Sequence, residues 1–217
     1  MEINVRLRKR RYVAISLIAL LLFVCCVNFG RVSSPEIRSV DKKLSGKHIL
    51  VVIAPKNFRD EEYSIPRKLF EEMGAEVTVA STSKETAVGM LGLKVKPDLT
   101  LAEVDPDKYD AIVIVGGTGS RQYLWNNEKL IAIVQKMYAK HKVIAAICLS
   151  PVVLSQAGIL NGKNSTVFPD KEAINLLRKG NSTFIDEGVV VDGNIITSQS
   201  PKFAYEFGEK VAEKLSQ

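Results

Sequence analysis

From Lys47 onward the hydrophobic positions alternate between short unbroken apolar runs and longer amphipathic stretches. His48–Ala54 (HILVVIA) is such a run, as expected for a parallel strand covered on both faces. Glu62–Met73 repeats its apolar residues at helical spacing and stops at Gly74, and Glu76–Ala80 predicts a second strand. Val88–Val95 and the stretch after Pro97 predict a short hairpin excursion. Asp110–Val115 (DAIVIV) is another buried strand and leads into Gly116-Gly117. Asn127–Lys140 predicts a helix, and Lys142–Ile147 (KVIAAI) a strand that runs straight into Cys148. Pro151–Ala157 is a helix ended by Gly158, and Lys171–Lys179 is a further helix. Val189–Val191 and Ile195–Thr197 form a hairpin across Asp192-Gly193, and Lys202–Leu215 closes the chain as a helix. Strands alternating with helices predict an α/β fold, a doubly wound parallel sheet with helices on both faces. About 170 residues suit one such domain, and no internal repeat is visible.

Upstream of Lys47 the pattern changes. Arg6, Arg8, Lys9, Arg10 and Arg11 precede a run from Tyr12 to Phe29 whose only clearly polar members are Ser16 and Asn28. Eighteen residues at helical rise span about 27 Å, close to a hydrocarbon thickness of roughly 30 Å. The expectation is a cytoplasmic basic stub and transmembrane signal anchor over residues 1–30, with the domain on the extracytoplasmic side. A cleaved signal peptide is the competing expectation. The nearest small-residue site is Val32-Ser33-Ser34, and Pro35 stands where cleavage needs a permissive residue. Residues 31–45 read as a tether, which leaves 46–217 as the domain.

Charge follows the same division. The formal net charge is +6. Residues 1–40 hold seven Lys/Arg against two Glu, so residues 41–217 carry 23 basic and 22 acidic side chains. The folded part is nearly neutral, and no phosphate-tracking surface for nucleic acid is implied. Cys25 and Cys26 sit in the apolar run and Cys148 stands alone beyond it. An internal disulfide and a zinc site are therefore both unsupported, and nothing calls for a cofactor or metal.

In open α/β sheets, sites gather at the C-terminal ends of the strands. Ala146-Ile147-Cys148-Leu149-Ser150 is the most informative segment there. A strand turning abruptly into a helix holds its central residue in strained geometry, so the residues two before and two after must be small. Cys148 is the nucleophile candidate of this elbow, and helix N-terminal amides would favour its thiolate. The plainer reading is a small buried residue at a strand end. A glycine amide from Gly116-Gly117 would pair with the amide after Cys148 as an oxyanion hole; such a pair is also an ordinary β-to-α turn. Glu62 opens a helix, where acids are common for dipole reasons alone. Asn164-Ser165-Thr166 and Asn181-Ser182-Thr183 fit the glycosylation sequon, a triplet frequent by chance.

These residues carry a resemblance. HILVVIAPKNFRDEEYSIPRKLFEEMGAEVTVAS, DAIVIVGG, VIAAICLSPVVLSQAGILNGK and DGNIITSQSP resemble the ThiJ/PfpI superfamily, and within it the PfpI-type intracellular cysteine proteases. The resemblance runs from Lys47 over about four-fifths of the chain. It implies a flavodoxin-like, class I glutamine amidotransferase-like fold and a homo-oligomer. It also implies Cys148 as reactive cysteine, Glu62 as its hydrogen-bonding acid, and Gly117 with the Leu149 amide as oxyanion hole. The departures bear on the chemistry. PfpI-type enzymes carry a histidine where this chain has Leu149, and the Parkinsonism-associated branch has one where this chain has Phe168, just before Pro169. His48 and His141 fall at strand entrances, the far end of the sheet. Three functions follow as expectations: a cysteine-dependent hydrolase or glyoxalase/deglycase-like catalyst acting on a small carbonyl or peptide, a redox or stress-response module oxidised at Cys148, and a membrane-tethered interaction protein keeping only the fold.

Overall fold

Every residue of two short strands, AIVI and VIAAI, is buried, because each is flanked by strands on both sides and covered on both faces. The computed structural model describes residues 42–217. In chain order its elements are β1 (His48–Val52), β2 (Lys56–Phe58), α1 (Asp60–Glu72), β3 (Glu76–Ser81), β4 (Ala87–Gly89), β5 (Lys94–Val95), β6 (Leu99–Thr100) and β7 (Ala111–Ile114). There follow α2 (Thr118–Tyr123), α3 (Glu128–Ala139), β8 (Val143–Ile147), α4 (Pro151–Gln156), β9 (Asn164–Ser165) and α5 (Lys171–Lys179). The chain ends with β10 (Thr183–Phe184), β11 (Val189–Asp192), β12 (Ile195–Ser198) and α6 (Ala204–Leu215).

The main sheet has seven strands in the order β11-β12-β8-β7-β1-β3-β6. Only β11 is antiparallel to its neighbour. From β1 the chain builds outward in both directions, through α1 to β3 and later through α3 to β8. Right-handed crossovers in opposite directions place their helices on opposite faces. Accordingly α1 packs on α6, which rests on β8 and β12, whereas α3 lies on β7 and β8 and against α4. The expected doubly wound sheet is the observed one, and its reversal of direction between β1 and β7 opens a crevice at their C-terminal ends.

The differences lie in short elements. β2 pairs with β4 of the predicted hairpin to make a separate three-stranded sheet, and the stretch after Pro97 joins the edge of the main sheet as β6. Helix α1 begins at Asp60 rather than Glu62. The Asp60 carboxylate accepts the amides of Leu91 and Leu93, both at 2.8 Å, and so fastens the β4–β5 hairpin to the start of α1. The domain also begins before residue 46, since Leu44 is fully buried and its amide donates to the Met73 carbonyl.

The membrane-anchored, extracytoplasmic placement is corrected. Among the described residues no helix is long and apolar enough to cross a membrane. The run that carried the expectation, residues 12–29, lies outside the described residues.

Candidate active site

Strand β8 delivers Cys148 to the crevice. The cysteine has φ +61°, in the left-handed region where a non-glycine residue costs of order 1–3 kcal/mol. Surrounding bonds hold it there. The Cys148 amide donates to the Ser198 carbonyl at 2.8 Å, and its own carbonyl accepts the Phe168 amide at 2.9 Å. The Ser150 hydroxyl donates to the Val115 carbonyl at 2.8 Å and lies 2.7 Å from the Ser120 hydroxyl. Ala146 and Ser150 are both fully buried, which accounts for the need for small residues on either side of the elbow.

Glu62 reaches the same place from the first turn of α1. It is fully buried, and its Oε2 accepts the Gly116 amide at 3.0 Å. Its Oε1 has no nitrogen or oxygen partner among the described residues; the carboxyl's remaining neighbour is the Cys148 thiol. Gly116 lies against both side chains, and a Cβ on it would lie 2.5 Å from the Cys148 Cβ and 2.7 Å from Glu62 Oε2. The amides of Gly117 and Leu149 both bear on the sulfur and favour its thiolate.

The electrostatics depart from the sequence expectation at Cys148. Burial, joined by the charge of Glu62, pushes the thiol up to about 12, against the pull of the Gly117 and Leu149 amides. Burial likewise pushes Glu62 up to about 8, opposed by its interactions with Cys148 and the Gly116 amide. A helix N-terminus was expected to lower the thiol. Cys148 is only 7% exposed and faces a carboxylate in waiting, and desolvation with a like charge outweighs the amides. At neutral pH both groups hold their protons. The pair gives up its first near pH 8, and the thiolate is reached when the one remaining proton sits on Glu62.

His48 opens β1, its Nδ1 3.3 Å from the Glu76 carboxylate, and His141 sits in the turn before β8. Both are at the N-terminal ends of strands, as expected, and the chain has no other histidine. Leu149 is buried and Phe168 exposed. The cation acting on the pair is Arg59, three residues before Glu62, whose charge bears on both Glu62 and Cys148. Its guanidinium is gripped by Glu61 through two 2.9 Å hydrogen bonds. Sequence reasoning missed Arg59 and also Trp125, whose Nε1 donates to the Leu149 carbonyl at 2.7 Å. Nothing in the spacing of either residue distinguishes it.

Residues 47–214 match the DJ-1/PfpI family. A protein of Methanocaldococcus jannaschii is 50% identical over 197 residues, covering 89% of this chain and 96% of its own. The deglycase PfpI of Pyrococcus furiosus is 36% identical over 156 residues, covering 72% of this chain and 92% of its own. Less than a tenth of that enzyme therefore lies outside the match. Among solved structures, a ThiJ/PfpI domain protein from Brachyspira murdochii superposes with a TM-score of 0.74 at 35% identity, covering 78% of this chain and 98% of its own.

Proposed function

The chain belongs to the DJ-1/PfpI family, and on that premise we propose that it is a cysteine-dependent catalyst of the hydrolase or deglycase kind, with Cys148 attacking the carbonyl of a small substrate. The observation that carries this reading is the fully buried Glu62 carboxyl set against the Cys148 thiol, with one oxygen bound by the Gly116 amide and the other unpartnered. A buried carboxyl is costly to keep; beside a nucleophile it provides a place for a proton.

In the reacting form the pair has lost one proton and Glu62 keeps the other. The sulfur forms a bond to the carbonyl carbon, and the C=O π electrons move to the oxygen. The amides of Gly117 and Leu149, which bear on the sulfur in the resting site, are the donors at hand for that oxyanion. Glu62 retains its proton to hand to the adduct's oxygen. A peptide fits this site less well than an aldehyde or ketone. An amine leaving group needs a proton delivered to it, and the site has no imidazole to supply the 10²- to 10⁴-fold that such a donor typically contributes.

The Glu62 oxygen left free beside the sulfur favours a second reading, in which the pair serves oxidation. Two equivalents of peroxide would convert the thiol to a sulfinic acid with release of two waters, and a protonated Glu62 would hydrogen-bond the product.

The test is turnover of methylglyoxal by the full chain, followed as hydroxy-acid formation. Cys148→Ser is expected to lose at least about 10³-fold in kcat/KM. Turnover that survives Cys148→Ser would overturn the nucleophile assignment. Absence of turnover, with two oxygens added selectively at Cys148 by mild peroxide, would favour the oxidation reading.

A further inference from the structure

Two successive peptide planes meet at Leu149, and each is anchored from outside the elbow. The plane that contains the Leu149 N–H also contains the Cys148 carbonyl, and that carbonyl accepts the Phe168 amide at 2.9 Å. The next plane contains the Leu149 carbonyl, which accepts the indole N–H of Trp125 at 2.7 Å in a buried site. With both planes held, the Leu149 amide has little freedom to turn.

The two anchors are also joined to each other. The Arg121 guanidinium lies 4.8 Å from the centre of the Trp125 ring, in reach of a cation–π interaction. The same guanidinium donates to Asp170 Oδ1 at 2.7 Å. Asp170 is two residues beyond Phe168, its amide donates to the Phe168 carbonyl at 2.6 Å, and its Oδ1 caps α5 by accepting the Ala173 amide at 3.0 Å. Phe168, Asp170, Arg121 and Trp125 thus close a clasp around the residue after the nucleophile.

We propose that Trp125 is a positioning residue for the reaction at Cys148, fixing the direction of the Leu149 amide through the Leu149 carbonyl, with Arg121 and Asp170 holding the indole in place. This rests on Cys148 being the reacting atom. The Trp125 N–H is committed to the Leu149 carbonyl, so its action runs through the elbow. Its cost when lost should therefore fall below the 10²- to 10³-fold of a deleted oxyanion donor, because the Leu149 amide is loosened and not removed.

The test uses the full chain with Trp125→Phe, which keeps an apolar ring and removes the N–H. Trp125 is the only tryptophan, so biosynthetic replacement by the analogue with sulfur in place of the indole N–H changes this one position and serves if the phenylalanine variant folds poorly. Either change is expected to lower kcat for methylglyoxal about tenfold with KM within about twofold, and to move the pH dependence of Cys148 alkylation by iodoacetamide upward, since a loosened amide stabilises the thiolate less. Arg121→Gln, which leaves the indole bond in place, should give a smaller change in the same direction. A lower unfolding temperature with the alkylation pH profile unchanged would make Trp125 a packing residue and overturn the proposal. The alkylation readout needs no turnover, so a failure of the catalytic reading is told apart from a failure of this one.

Discussion

Gly117→Ala is expected to destabilise the domain by about 3 kcal/mol or more and to abolish turnover. Gly117 has φ +91°, and a Cβ there would lie 2.4 Å from the Asn57 carbonyl oxygen, 2.6 Å from the Arg59 nitrogen and 2.9 Å from the Phe58 carbonyl carbon. All three are backbone atoms of β2 or of the residue that joins it to α1, so none can yield by a rotamer change. Relief requires β2 and the first turn of α1 to move away from β7, and that turn carries Glu62. Gly92 supplies the control. Its φ of +95° is similar, yet nothing lies within 4 Å of a Cβ built on it, so Gly92→Ala bears the backbone term alone, roughly 1 kcal/mol. Urea unfolding of the two variants separates the terms. Equal losses at both sites would mean that the close approach at Gly117 is not real.

Glu62→Gln is expected to stabilise the protein, and more so at pH 8 than at pH 5. In the fold the Glu62 carboxyl is pushed up to about 8 from an ordinary 4.5. Between those values the native chain keeps a proton that the unfolded chain has released, so stability falls as pH rises through the window. Full development of the shift amounts to roughly 3–5 kcal/mol by pH 8. Glutamine fills the same space, has an oxygen to accept the Gly116 amide and does not ionise. Its advantage should therefore be small near pH 5 and grow across the window. The comparison stays at or below pH 8, where the Cys148 thiol is mostly protonated both in the fold and in the unfolded chain. An advantage independent of pH would show that Glu62 ionises normally.

The same three acids explain why the site was only partly legible in the sequence. In the sequence Glu62 reads as an ordinary acid opening a helix, and nothing marks Asp60 or Glu61 beside it. Successive helical residues turn about 100° apart, and here that turn sends Asp60 beneath the β4–β5 hairpin, Glu61 out to Arg59 and Glu62 into the crevice. Nothing local tells them apart, and Glu62 was identified through family resemblance alone. Cys148 was legible because an elbow constrains its neighbours: an apolar strand ending in small–x–Cys–x–small is a local pattern. The direction of its thiol shift was not, since helix amides are visible in sequence and burial against a carboxyl from another element is not. The main-sheet strands of four residues or more, β1, β3, β7, β8, β11 and β12, were all found. β2, β6, β9 and β10 have two or three residues each, too few for any periodicity.

If Cys148 and Glu62 share their protons, the pH profile of Cys148 alkylation in the full chain must change when glutamine replaces glutamate at position 62. Wild type should show a first rise near pH 8, as the pair loses one proton, and a second toward pH 12. Glu62→Gln should lose the step near 8 and show a single rise below 12, because the carboxylate charge that helps hold the thiol up is gone while burial remains. Superimposable profiles in the two proteins would contradict the account.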